Sequence, residues 1–93
     1  MSERRWVRLL GDGCVYNGPC QLHCLILQID AANDTSKVYD GVDLIMGKLF
    51  VELQTSVDIT RELCMGDGVP FKTGIYIDAT DEAVATTVVF TPL

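Results

Sequence analysis

Four cysteines and one histidine are the residues best equipped for chemistry in this chain of 93 residues: Cys14, Cys20, His23, Cys24 and Cys64. Thiolates and imidazole are the ligands of tetrahedral zinc, and a Cys–His pair is the core of a thiol nucleophile with its base. The spacing works against both. On an extended strand Cys20 and Cys24 share a face about 13 Å apart at a rise of ~3.3 Å per residue, whereas zinc draws its ligands to within ~2.3 Å. His23 points to the opposite face, away from either thiol. Cys64 meets His23 only if the tertiary fold brings them together.

The remaining candidates are weaker. A Cys14–Cys20 bridge across the turn at residues 15–19 is geometrically open, because flanking strand ends can reach the ~5.5 Å Cα separation a disulfide needs. In a chain without an export signal, however, buried free thiols are the expectation. Asp78, Asp81 and Glu82 place three carboxylates near one turn, short of the six to eight oxygens calcium takes, so solvated side chains are expected there. No nucleotide-binding, metalloprotease or hydrolase motif occurs. The expectation is a protein with no catalytic residues, no metal and no cofactor.

Charge narrows the partners. The formal net charge is −6, unsuited to neutralising phosphates, so nucleic acid is not expected. The distribution is uneven. Arg4, Arg5 and Arg8 against Glu3 make residues 1–10 +2, which leaves four basic against twelve acidic residues, −8, in residues 11–93. A basic N-terminal arm or edge strand thus precedes one acidic domain. Trp6 lies among those arginines, and Trp and Arg are the residue types most enriched at interface hot spots.

The segments that must position these residues are short apolar runs with period-two alternation, broken by Gly, Asp, Asn and Pro. They read as strands over residues 6–10, 14–16, 20–30, 37–39, 48–54, 56–63, 74–78 and 83–91, with the last two paired as a hairpin around residues 79–82. This predicts an all-β, small antiparallel β-sandwich of seven or eight strands. The two Gly-Asp-Gly triplets read as turns.

Two faces stand out. The strand beginning at Cys20 carries Cys20, Leu22, Cys24 and Ile26 on one side, but Leu25 and Leu27 on the other, which predicts an outer face covered by another segment or subunit. In residues 48–54 the alternation sets Leu49, Val51 and Leu53 inward and Phe50 outward. With 48% apolar residues in so short a chain, an excess of apolar surface is expected to meet a partner. No apolar h-region of a secretory signal opens the sequence and no run approaches the ~18 apolar residues of a spanning helix, so synthesis in the cytoplasm and no membrane contact are expected.

From Gly18 onward the runs GPCQLHCLILQIDAANDTSKVYDG, GKLFVELQ, GDGVPFKTGIYID and ATTVVFTPL resemble small β-sandwich structural proteins of tailed bacteriophages, the decoration or cement proteins of the capsid. The resemblance covers residues 18–93 and lies in the order of the elements. It implies a jelly-roll-like sandwich, a homotrimer or other homo-oligomer, attached outside the phage head where major capsid proteins meet, and thus a virion location. It implies no catalytic residues. On this reading Leu25, Leu27, Phe50 and Tyr76 contact sister subunits, while Arg4, Arg5, Trp6 and Arg8 reach the shell or a neighbour. The alternatives are a carbohydrate- or receptor-binding sandwich module, or a structural protein of the neck or tail.

Overall fold

Period-two alternation of β-branched and aromatic residues yields strands throughout. The computed structural model, described for residues 3–28, 35–54, 60–79 and 84–93, contains β1 (Arg5–Leu10), β2 (Gly13–Asn17), β3 (Cys20–Gln28), β4 (Thr35–Asp40), β5 (Lys48–Gln54), β6 (Arg61–Phe71), β7 (Gly74–Ala79) and β8 (Ala85–Pro92). Sheet A has the order β1-β8-β3-β6 and sheet B the order β2-β7-β4-β5. The antiparallel pairs β1–β8, β2–β7, β3–β6 and β4–β5 are nested, as in one long hairpin rolled over itself, which is the jelly-roll arrangement. The all-β sandwich expected from the sequence is therefore the fold.

Two local expectations give way. β7 and β8 do not form a hairpin: β7 pairs with β2 and β4, β8 with β1 and β3, so the chain crosses between sheets there. Nor does the second Gly-Asp-Gly triplet end a strand. β6 runs through it, starting at Arg61, while residues 56–59 of the anticipated strand 56–63 lie outside the described residues. The N-terminal basic segment is β1, an edge strand of sheet A.

The core is Leu22, Leu25, Leu27, Val38, Ile75 and Ile77 with their neighbours, all without solvent exposure. Leu25 and Leu27 thus belong to the interior and not to an outer contact face. The cause is a bulge. Against β8, Leu22 pairs with Phe90 and Cys24 with Val89, leaving His23 as an extra residue. One inserted residue reverses the parity of everything after it. Cys20 and Leu22 face inward before the bulge, Leu25 and Leu27 after it, and Cys24 and Ile26 turn outward.

The same device recurs in sheet B. Val15 is the extra residue between Cys14↔Tyr76 and Tyr16↔Ile75, and Phe50 between Val38↔Val51 and Tyr39↔Leu49. As a result Leu49 is 52% exposed, against its expected inward place, while Phe50 turns toward Phe71, ring centroids 5.1 Å apart at 68°. Tyr16 likewise turns in to meet Phe90 at 5.1 Å. Each aromatic pair joins a strand of sheet B to one of sheet A, so the bulges supply rings that bridge the layers.

One polar pair is sealed between the sheets. Ser36 Oγ of β4 and Thr86 Oγ1 of β8 are 2.9 Å apart, and both residues are fully buried. One hydroxyl donates to the other, and removing either leaves a buried partner without that bond. Ser36→Ala and Thr86→Val are each expected to cost about 1–2 kcal/mol, and the double variant less than the sum. Urea unfolding of the four proteins checks this; strict additivity would show that the two hydroxyls do not interact.

Cys24 and Cys64 form a disulfide between β3 and β6. The expectation of free thiols fails for this pair, because the bulge at His23 turns Cys24 outward and sets it directly opposite Cys64. Cys14 and Cys20, the pair considered across the turn, remain free, the first exposed and the second buried. The bridge spans 40 residues, for which loss of unfolded-chain entropy contributes up to about 4 kcal/mol. Cys64→Ser should lower unfolding free energy by about 2–4 kcal/mol. Dithiothreitol should bring the wild type to that level and leave the variant unmoved; a wild type insensitive to reductant would show that the staple contributes nothing.

Candidate interaction surface

Chemistry at the histidine is limited by its position. His23 is 4% exposed, held on the outer side of sheet A beneath residues 65–68, which bulge from β6 between its pairings Cys64↔Cys24 and Val69↔Leu22. The Gly66 carbonyl can only accept, so Nδ1 donates to it at 3.4 Å, while Nε2 lies in hydrogen-bond contact with the Thr91 hydroxyl at 2.7 Å. Gly68 makes this lid possible. Its φ of +108° suits glycine, and a Cβ there would stand 3.0 Å from His23 Cε1. Both ring nitrogens are thereby used, and no thiol is among their partners.

Asp12 and Asp40 are also occupied with structure. Asp12 Oδ1 accepts the Ala79 N–H at 2.8 Å, while the Asp40 carboxylate accepts the N–H groups of Lys72 and Thr73 at 3.1 and 3.0 Å, fixing the β6–β7 turn. Among the described residues no three His, Cys, Asp or Glu side chains gather as metal ligands. Asp81 and Glu82 of the acidic turn lie outside the described residues.

The outer face of sheet A is apolar in its middle. Registers across the sheet align Trp6, Val89, Cys24 and Cys64 in one row, and Arg8, Thr87, Ile26 and Glu62 in the next. Trp6 is 71% exposed and Leu10, on the same side of β1, 58%. Their inward neighbours Val7 and Leu9 pack on the core. Strand β1 therefore divides its side chains between interior and surface, and its surface half is Trp6, Arg8 and Leu10.

Sheet B presents a second row, Cys14, Tyr76, Tyr39 and Leu49. Tyr76 is on the outer face of sheet B. Partial burial, then the carboxylates of Asp12, Asp78 and Asp43 and the Cys14 thiol, push its phenol above the ordinary pKa. Next to this row Lys37 and Glu52 form a surface ion pair at 3.9 Å.

A third apolar feature was not singled out in the sequence. Between β4 and β5, Leu44, Ile45 and Met46 form a protruding tip, with Ile45 90% and Met46 82% exposed. Asp43 Oδ1 accepts the Met46 N–H at 2.8 Å, closing the turn. Its base is drawn so tight that a Cβ on Gly41 would stand 2.6 Å from the Gly47 Cα. Three adjacent apolar residues between Asp43 and Gly47 were the available signal, since turn residues are ordinarily polar.

Beside the tip, Asp40, Lys48, Leu49, Phe50, Val69, Pro70 and Phe71 line an open cleft of about 140 Å³ at the β5–β6 seam. Of the anticipated interface residues, the structure keeps Arg4, Arg5, Trp6 and Arg8 exposed together on one edge. It sets Tyr76 on the other sheet and Phe50 in the cleft, and removes Leu25 and Leu27 to the core. No family model, curated protein or solved structure matches the chain.

The two free thiols differ in reactivity. Burial, and secondarily the Asp40 carboxylate, push the Cys20 thiol up to about 11, whereas Cys14 is exposed. At pH 8 roughly a thousandth of Cys20 is thiolate, the only form that alkylates. Iodoacetamide at that pH should modify Cys14 alone in the folded protein, and both after unfolding, as read by peptide mass spectrometry. Equal labelling in the folded state would contradict the buried position of Cys20.

Proposed function

We propose that this protein is a non-catalytic assembly subunit, a capsid decoration protein that binds the outside of a phage head where major capsid proteins meet and stabilises the shell. The observation that carries the reading is the outer face of sheet A. A two-layer sandwich ordinarily turns polar residues to water, yet here Trp6, Val89 and Ile26 lie around a disulfide, with Arg8 and Leu10 on the same side of β1. Burying such a patch contributes roughly 25 cal/mol per Å², and repetition over a shell multiplies weak single contacts. The order of turn and strand motifs along residues 18–93 supplies the capsid context.

The exposed tip Leu44-Ile45-Met46 supports the same reading, because an apolar turn in water is otherwise a solubility liability. A carbohydrate-binding module is the second reading, favoured by the cleft with Phe50, Phe71, Asp40 and Lys48. At about 140 Å³ it is small beside the ~300–1,000 Å³ of ordinary ligand sites. Neck or tail attachment would use the same faces.

Purified protein mixed with undecorated capsids should pellet with them. Trp6→Ala should weaken that binding about tenfold or more, as loss of a buried aromatic anchor does, with the melting temperature within a few degrees of wild type. Absence of co-sedimentation would rule out the decoration role, and glycan-array binding in its place would support the second reading.

A further inference from the structure

Sheet A ends in two edge strands, β1 and β6. We infer that copies of this chain join through these edges, β1 of one copy lying antiparallel beside β6 of the next, so that sheet A continues from subunit to subunit. The inference rests on the reading of the chain as an assembly subunit and names the surface by which its copies meet.

Three observations point to this pairing. The first is charge. Four strands are sheet edges: β1 carries Arg5 and Arg8, β2 no charged residue, β5 one Lys and one Glu, and β6 Arg61 against Glu62 and Asp67. β6 has more acidic than basic residues, and its Glu62 is the carboxylate that falls opposite Arg8 when the rows continue across the boundary, whereas Asp67 lies in the bulge beyond. Pairing β1 with another β1 would instead bring four arginines together.

The second is register. Continuing the rows across the boundary sets Trp6 beside the next copy's Cys64, Val7 beside Leu63 and Arg8 beside Glu62. Every pair has matching faces, since Val7 and Leu63 both turn to the core while the other four side chains face outward. β6 is regular only over this half; its bulge at residues 65–68 and Pro70 lie beyond it. The four residues Arg61–Cys64 of β6 take Trp6–Leu9 of the six residues of β1.

The third is the direction of the backbone groups. Cys24 and Cys64 have a Cα separation of 4.1 Å, the close spacing of a non-hydrogen-bonded antiparallel pair. The N–H and C=O of Cys64 therefore point away from β3, to the free edge. Alternation along the row makes Cys24↔Val89 a bonded pair and Val89↔Trp6 a non-bonded one, so the backbone groups of Trp6 also point to the free edge. Trp6 and the next copy's Cys64 can then exchange two hydrogen bonds, with the indole lying over the Cys24–Cys64 disulfide.

Such a contact is heterologous: each copy offers β1 to one neighbour and β6 to another, so repetition gives a ring of more than two subunits where the rotation closes and an open filament where it does not. Sedimentation velocity at low ionic strength should show the wild type larger than a dimer. Arg8→Glu and Glu62→Arg should each raise the dissociation constant by about tenfold or more, and the two together should restore assembly. Both residues are exposed, so each variant should melt near the wild type. Trp6 is the only tryptophan; its emission should rise on dilution of the wild type, as the quenching disulfide of the neighbour departs, and stay high throughout for Arg8→Glu. A monomeric or dimeric wild type, or a double variant as dissociated as the single ones, would overturn the inference. Pelleting with capsids is a separate readout, so an assembly that ignores capsids would refute the decoration role and leave the edge contact standing.

Discussion

The placement of one extra residue, His23, decides what the rest of the sandwich can be. Without it, β3 would continue the phase set by Cys20 and Leu22, burying Cys24 and Ile26 and turning Leu25 and Leu27 to water. With it, four large or medium apolar side chains from two phases of one strand share a single core face. The price is an imidazole with nowhere to go but the outer side of the sheet. β6 answers that by arching over it, and the glycines of the second Gly-Asp-Gly triplet let the arch sit close. Bulge, lid and disulfide are one device, because the same reversal of parity that buries Leu25 also brings Cys24 to Cys64.

The fold was readable because alternation and punctuation survive averaging over many residues, whereas bulges are single-residue events. Eight strands and two antiparallel layers follow from where apolar runs stop and start. The phase within a run is more fragile. Leu22 and Leu25 cannot share a face of a regular strand, and a strand apolar on both sides has two explanations: a covered outer face or a phase break. The polar residue at the break, His23, was the mark of the second. Leu49, Phe50 and Val51 pose the same problem, with an aromatic as the inserted residue. The Cys24–Cys64 pairing was beyond reach in the same way, since it depends on register between strands 40 residues apart.

At the surface, the basic cluster with Trp6 was visible as composition and the structure gives it an address, an edge strand beside an apolar outer face. The two sheets differ in what they show to solvent. Sheet A sets its only tryptophan and a disulfide among few charges, while sheet B surrounds Tyr76 with carboxylates. The proposed role, adhesion on one side and exposure to water on the other, would be served by that division. The tip at Leu44-Ile45-Met46 adds exposed apolar surface at the end of the sandwich rather than on either face.

Nested pairing has a kinetic side. Bringing Leu10 to Ala85 in an open chain closes a loop of about 75 residues. If β4 first meets β5 across residues 41–47, each pair outward from it closes only the short connections that remain, and the entropy of closure is met in small steps. In that order β1 on β8 is the outermost rung and the last to be laid. The arginine-bearing edge of sheet A then exists only on a chain that has finished folding, so the edge contact inferred above is open only to folded chains.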